Sequence, residues 1–169
     1  MKILDRLPFF RQERTVYLPM EPDRQTIQPL MVVVQVSLSI RNRIFGPIPA
    51  FLDSGFNHNF LISRSQFVSW IGMEPDAIEA TGRMSFRGEQ IILRKVDVLI
   101  HRNERGTNTI IPDDPFPWHI DQDRGIAIQN ENANKLPILG MRSIVRNYLR
   151  YIIDGKNDFV TLRSSHSWE

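Results

Sequence analysis

The sequence predicts a mainly β domain with two short helices, and three observations support this fold class. Apolar, β-branched runs recur along the chain, and several of them alternate apolar and polar residues with a period of two. Glycine, proline and polar residues separate these runs at short intervals, as turns do. Apolar residues recur at helical spacing in just two short segments. We therefore expect many short strands around one hydrophobic core.

The composition sets limits on the class of protein. The chain has 169 residues, of which 41% are hydrophobic and 24% charged, which suits one folded domain and excludes a wholly disordered or collagen-like chain. The absence of cysteine excludes disulfides, thiolate metal sites and a cysteine nucleophile. Charged residues interrupt the first six positions, and no apolar run is long enough to span a membrane. We therefore expect a cytoplasmic protein with no membrane partner.

The charge balance gives little support to nucleic-acid binding. Lysine and arginine number 21 against 19 acidic residues, a formal net charge of +2. The stripe formed by Arg142, Arg146 and Arg150 is best interpreted as the solvated face of a helix, so a nucleic-acid partner is the weakest alternative. His119 lies near several aspartates without a recognised metal-ligand spacing, and no glycine-rich phosphate-binding pattern occurs. We expect no metal and no other cofactor.

The first half of the chain begins with a proline-marked segment over 1–29, which we interpret as an extended arm. The apolar pattern predicts a strand over 30–40 and the returning strand of a hairpin over 44–52. A polar turn at 41–43 joins them. Ser63 is a suitable N-cap for a helix over 63–71 that stops at Gly72.

The second half predicts two strands over 84–100 around the turn Arg87-Gly88. Residues 102–135 form a long polar insertion in which we expect a single strand, at 125–128. A short strand over 136–140, a helix over 141–149 and a hairpin turning at Asp154-Gly155 follow. We assign 1–29 to the arm, 30–162 to the domain and 163–169 to a C-terminal tail.

The segment richest in chemistry is Asp53-Ser54-Gly55, which follows an apolar strand directly. An acid at the end of a strand can polarise a water molecule, and a neighbouring hydroxyl can tie the loop to nearby backbone. A glycine lets backbone N–H groups approach the carboxylate closely. The tripeptide alone is weak evidence, because chance produces it in surface turns.

A second element makes the pattern more specific. The apolar-apolar-glycine run at 138–140 follows a β-rich middle and precedes a helix and a hairpin. With these two motifs, residues 29–162 resemble the retropepsin-like aspartic proteases, the family of retroviral proteases and their bacterial relatives. In that family a hairpin, the Asp-Ser/Thr-Gly loop, a flap hairpin and the apolar-apolar-Gly strand follow in this order. The flap corresponds to residues within 80–98. The bulky Phe56 and a flap without a glycine-rich tip depart from the family pattern.

The resemblance implies a closed β-barrel acting as a two-fold dimer. It implies that Asp53, Ser54 and Gly55 are the catalytic residues of an aspartic endopeptidase with a polypeptide substrate. By the same resemblance, Ser54 bonds across the two-fold axis and Gly140 lets the chain pass beneath the catalytic loop. Four residues are assigned to substrate binding, namely Phe56, Asn57, Gly82 and Gly140.

The expected chemistry requires a homodimer. An aspartic protease uses two carboxylates that share one proton, and this chain has a single Asp-Ser/Thr-Gly motif. The second carboxylate must then be Asp53 of another copy, which two-fold symmetry brings to the axis. The alternative is a dimer of the same fold that binds extended peptides without cleaving them.

Overall fold

The computed structural model describes residues 1–19, 24–118, 125–130 and 136–165. Within these ranges the chain is mainly β with two α-helices, as the sequence predicts. The strands are β1 Lys2–Pro8, β2 Arg14–Tyr17, β3 Arg24–Ile27, β4 Val33–Ile40, β5 Arg43–Asp53, β6 Phe60–Ser63, β7 Ala80–Phe86, β8 Glu89–Arg94, β9 Asp97–Asn103, β10 Ile110–Pro117, β11 Ile126–Gln129, β12 Ile138–Gly140, β13 Leu149–Asp154 and β14 Phe159–Ser164. The helices are α1 Arg64–Ile71 and α2 Met141–Arg146.

A nine-stranded sheet with the order β10-β9-β4-β5-β12-β6-β11-β8-β7 carries most of the fold. Two features of its topology position the candidate site. Asp53 is the last residue of β5 in the β4–β5 hairpin, and the short strand β12 lies between β5 and β6. Because β12 runs parallel to β5, its last residue, Gly140, lies opposite Asp53.

The closed barrel that the resemblance implies is not found in the described part of the chain. The main sheet ends at β10 on one side and β7 on the other, and no ladder joins these edges. Prolines at 112, 115 and 117 deprive β10 of backbone N–H donors, which suits it to an edge. Separate sheets of order β1-β14-β13 and β2-β3 complete the strand pairing.

The N-terminal segment is more ordered than a simple arm. Three strands, β1 to β3, lie within residues 1–29, and β1 pairs antiparallel with β14. Ile3, Leu4 and Leu7 are buried in the main core together with β4 and β9 side chains. The first strand therefore shares the core of the domain.

Three sequence predictions need correction. Two strands were predicted over 84–100, but the second of them is divided into β8 and β9. Strand β8 pairs with β11, and β9 pairs with β4. The polar insertion contains a second strand, β10, in addition to the predicted strand that is β11. Helix α2 ends at Arg146 rather than at residue 149, because the backbone at Tyr148 turns left-handed with φ of 52°.

Local chemistry explains the elements that the sequence predicted well. The Ser63 side chain accepts a hydrogen bond from the Gln66 N–H and caps α1. Gly72 ends that helix in the left-handed conformation with φ of 74°, where a side chain is disfavoured. The Asp154 carboxylate accepts backbone N–H groups from Lys156 and Asn157 and closes the β13–β14 hairpin.

A buried histidine makes the stability of this fold depend on pH. His101 on β9 is 8% exposed, its Nε2 atom lies 2.8 Å from the Ser37 hydroxyl, and burial lowers the pKa of His101 below 6.5. The unfolded chain therefore binds a proton on this ring more readily than the folded chain. The free energy of unfolding should fall as pH decreases below about 6.5 and level off below the folded-state pKa.

Chemical denaturation of the wild type and of His101→Gln between about pH 5 and pH 8 measures this effect. The unfolding free energy of the wild type minus that of the variant should decrease toward acidic pH, because only the wild type carries the titrating ring. A difference that stays constant with pH would contradict the proposed linkage.

Candidate functional site

Asp53 is the last residue of β5, and its exposed carboxylate emerges from a buried strand end. The preceding residues Ala50, Phe51 and Leu52 are at most 8% exposed. The Gly55 N–H donates to Asp53 Oδ1 at 2.8 Å, and the Phe56 N–H donates to the Asp53 carbonyl oxygen at 3.2 Å. A Cβ at position 55 would lie 3.2 Å from Asp53 Oδ1, so glycine allows this close approach. The loop therefore fixes the carboxylate while leaving it accessible.

Gly140 lies directly beneath this loop, where the structure has no room for a side chain. Its N–H donates to the Asn59 carbonyl oxygen at 3.0 Å, and the next residue donates to the Phe56 carbonyl oxygen at 2.8 Å. A Cβ on Gly140 would clash with the His58 carbonyl oxygen and lie 2.7 Å from both the carbonyl oxygen and the ring of Phe56. The loop from Asp53 to Asn59 is thus folded around a bare backbone position.

A buried polar network supports the far side of the loop. The Asn59 carbonyl oxygen accepts the Trp118 indole N–H at 3.0 Å, and the Asn59 side-chain oxygen accepts the Ser143 hydroxyl at 2.7 Å. Trp118 and Ser143 are fully buried, and Asn59 is 6% exposed. Because unpaired polar groups are costly in the interior, these bonds define one arrangement of the loop against α2. The sequence did not predict this hydrogen-bond network.

The predicted substrate-binding residues lie in different surroundings. Phe56 is 7% exposed and belongs to a small core with Leu61, Met84, Ile91 and Ala127. Asn57 is exposed on the loop, and Gly82 is exposed on the edge strand β7. Of the predicted site residues, Asp53 and Ser54 line the cavity that is described next. The roles assigned to all these residues stay predictions.

A cavity of about 1080 Å³ opens beside the Asp53 carboxylate. Its wall combines the loop at Asp53 and Ser54 with apolar side chains of Leu136 and Ile138. Residues of the N-terminal segment and of the C-terminal hairpin complete the wall. This volume is at the upper end of the range of small-molecule sites, which extends to about 1,000 Å³, and so has room for several peptide side chains.

Tyr151 is a cavity residue that sequence analysis missed. It lies on β13, half-buried, and lines the same cavity as Asp53. Burial, and then the negative charge of Asp53, raise the pKa of Tyr151 to about 12. The phenol therefore stays neutral and keeps its hydrogen-bond donor at ordinary pH. Nothing in the sequence around Tyr151 distinguishes it from a strand residue, because its position depends on how β13 packs against the main sheet.

An ion pair joins the two outer segments of the cavity wall. Arg11 Nε lies 2.8 Å from the Asp158 carboxylate, and Arg11 also donates to the Gly155 carbonyl oxygen at 2.9 Å. These bonds attach the N-terminal segment to the turn of the β13–β14 hairpin. As a surface pair the contact contributes little to stability, so its main effect is on the shape of the cavity wall.

Within the described ranges, no group of three or more histidine and acidic residues is arranged to hold a metal ion. Of the aspartates near His119 in the sequence, Asp113 and Asp114 lie on β10, whereas His119 itself, Asp121 and Asp123 lie outside the described residues. In the same ranges, no helix has both the length and the hydropathy that crossing a membrane requires.

Substitution of Gly140 tests the role of close packing beneath the loop. Gly140→Ala should lower the free energy of unfolding by about 3 kcal/mol or more, because the new methyl group meets backbone atoms that cannot move aside cheaply. Gly155→Ala is the matched control, since its Cβ would meet nothing within 4 Å. Denaturant unfolding of both variants measures the difference, and equal effects of the two substitutions would contradict this interpretation.

Comparison with known proteins finds similarity among solved structures and not among families or curated proteins. No protein-family model matches the chain, and no curated protein matches it. The chain is similar to the crystal structure of a retropepsin-like aspartic protease from Rickettsia conorii, with 10% sequence identity and a TM-score of 0.41. The similarity covers 79% of this chain and 90% of the other.

Proposed function

We propose that the protein is an aspartic endopeptidase that acts as a homodimer through one Asp53 from each subunit. The observation that carries the proposal is the exposed Asp53 carboxylate, held by Gly55 and seated over Gly140 at the edge of a large cavity. The retropepsin-like motifs of the sequence fall at these same positions. The cavity offers space and apolar surface for an extended peptide next to the carboxylate.

The acidic residues of the cavity support the need for a second copy. Among the described residues that line it, Asp53 and Asp158 are the acids, and Asp158 is paired with Arg11 at 2.8 Å. One chain therefore offers one available carboxylate, while the proposed reaction uses two that share a proton. Two-fold symmetry supplies the second, because a symmetric interface brings the same residue to the axis from both sides.

Exposed apolar side chains near the site support such an interface. On α2, Met141 and Val145 are 41% and 62% exposed, and on β13, Ile152 and Ile153 are 41% and 61% exposed. These elements adjoin Gly140 and Tyr151. Helix α2 contacts β13, so these side chains lie on neighbouring elements, where a partner subunit would cover them together.

The proposed mechanism divides two roles between the carboxylates. The ionised Asp53 takes a proton from a water molecule as its oxygen attacks the peptide carbonyl carbon. The protonated Asp53 of the pair donates its proton to the carbonyl oxygen, which gives a neutral tetrahedral diol. The diol then collapses and its C–N bond breaks. The Asp53 that took the water proton gives a proton to the leaving nitrogen, and the other Asp53 takes a proton from a diol hydroxyl, which restores the single shared proton. These two roles require the pair of carboxylates to hold one proton between them.

The alternative function is peptide binding without cleavage. The edge strand β7 favours it, because residues 80–83 are exposed and one side of the strand is unpaired in the described structure. An extended peptide could add to such an edge. Cleavage of the bound peptide separates the two functions.

Substitution of the proposed catalytic acid gives the first test. Asp53→Asn should reduce cleavage of a peptide library at mildly acidic pH at least about a hundredfold, because an amide cannot act as a general base. Asp158→Asn is the matched control in the same cavity and should keep most of the activity. Thermal unfolding checks that both variants fold, and full activity in Asp53→Asn would end the proposal.

Subunit mixing tests the shared site. When inactive Asp53→Asn chains are mixed with an equal amount of wild type and allowed to exchange, about one quarter of the dimers contain two wild-type chains. Total activity should then fall to about half of that of the wild type alone. An equal amount of an unrelated protein serves as the control. Unchanged activity after exchange would show that one chain carries the whole site.

A further inference from the structure

The turn of the β7–β8 hairpin places an arginine at the candidate site. Phe86 pairs with Glu89, so Arg87 and Gly88 form a two-residue turn. Both have positive φ, 51° and 79°, as the tight turns favoured in β-hairpins require. A two-residue turn of this kind leaves little freedom in where its first residue stands.

Aromatic packing fixes this turn beside the Asp53 loop. The Phe86 ring meets the Phe56 ring edge-on, with centroids 5.8 Å apart and planes at 90°. Phe56 follows Gly55 directly, and Met84 of β7 packs in the same small core. The hairpin tip is thus attached to the loop that carries the carboxylate, and Arg87 lines the same cavity as Asp53 and Ser54.

The charges of the cavity wall leave Arg87 uncompensated. In the described part of the wall, the charged residues are Arg11, Asp53, Arg87 and Asp158. Arg11 and Asp158 neutralise each other at 2.8 Å. The Arg87 guanidinium lies 5.1 Å from the centroid of the Phe86 ring. No described carboxylate lies within ion-pair distance of Arg87. The wall therefore presents a cation without a carboxylate partner in the same cavity as Asp53.

We propose that Arg87 gives the site a preference for polypeptides with an aspartate or glutamate side chain close to the cleaved bond. This inference rests on the proposed function. A guanidinium donates two parallel hydrogen bonds to a carboxylate, which an amide side chain of the same shape cannot match in strength. The shared proton of the two Asp53 groups halves their negative charge, so their repulsion of an acidic substrate is reduced. Arg87 then selects among substrates without taking part in bond cleavage.

Matched peptide pairs test the preference. Each pair differs by Glu against Gln, or Asp against Asn, at one position near the cleaved bond. Wild type should have a kcat/KM about tenfold higher for the acidic member, the effect of one charge-assisted contact. Arg87→Gln should remove the preference, and Arg87→Glu should reverse it. Arg83→Gln, which changes an exposed arginine on the same hairpin, should keep the preference.

The outcomes separate this inference from the proposed function. Equal cleavage of acidic and neutral peptides by wild type overturns the inference and leaves the peptidase assignment intact. If wild type and Asp53→Asn both cleave nothing, the proposed function fails, and fluorescence anisotropy with the same labelled peptides then decides the inference. Binding that favours the acidic peptide in wild type, and loses that preference in Arg87→Gln, supports charge recognition by Arg87. Binding that ignores the charge overturns it.

Discussion

The close approach of two backbone segments at Gly140 is the constraint on which the candidate site depends. The carbonyl groups of Phe56 and His58 occupy the space that a side chain at position 140 would need. This approach lets β12 insert between β5 and β6. The end of β12 then supports the loop that follows β5. The Gly55 N–H donates a hydrogen bond to the Asp53 carboxylate, and the backbone at Gly140 supports the loop that carries it. Position and exposure of the carboxylate therefore follow from backbone packing and not from side-chain contacts alone.

The rest of the site is arranged around that loop by two different kinds of packing. On one side, the Asn59 carbonyl oxygen accepts both the Gly140 N–H and the Trp118 indole N–H, which links the loop to the main core. On the other side, Phe56 joins the loop to the β7–β8 hairpin through apolar and aromatic contacts. Hydrogen bonds specify one geometry, whereas apolar packing tolerates small shifts. The loop is thus fixed toward the core and more adaptable toward the hairpin.

Prediction from sequence was accurate where short-range chemistry determines the structure. Ser63 and Gly72 delimit α1, and Asp154-Gly155 closes a hairpin, because these effects act within a few residues. It was wrong for β10, whose prolines and acids are typical of a loop and are tolerated at a sheet edge. The closed barrel implied by the resemblance was not found in the described residues either. Arg87 was recognised as a turn residue and Tyr151 as a strand residue, but their place at the cavity arises from long-range packing that local patterns do not encode.

The hydrogen bond between Trp118 and Asn59 also gives the molecule an internal optical probe. The indole is fully buried, and its N–H is bonded to the backbone oxygen that also receives Gly140. Indole emission responds to the polarity around the ring, so loosening of this junction would shift the spectrum toward longer wavelengths. Trp70 is half-buried on α1 and provides a second, separate fluorophore. Variants that keep Trp118 and replace both Trp70 and Trp168 would allow opening of the Asp53 loop to be followed by fluorescence, without any substrate.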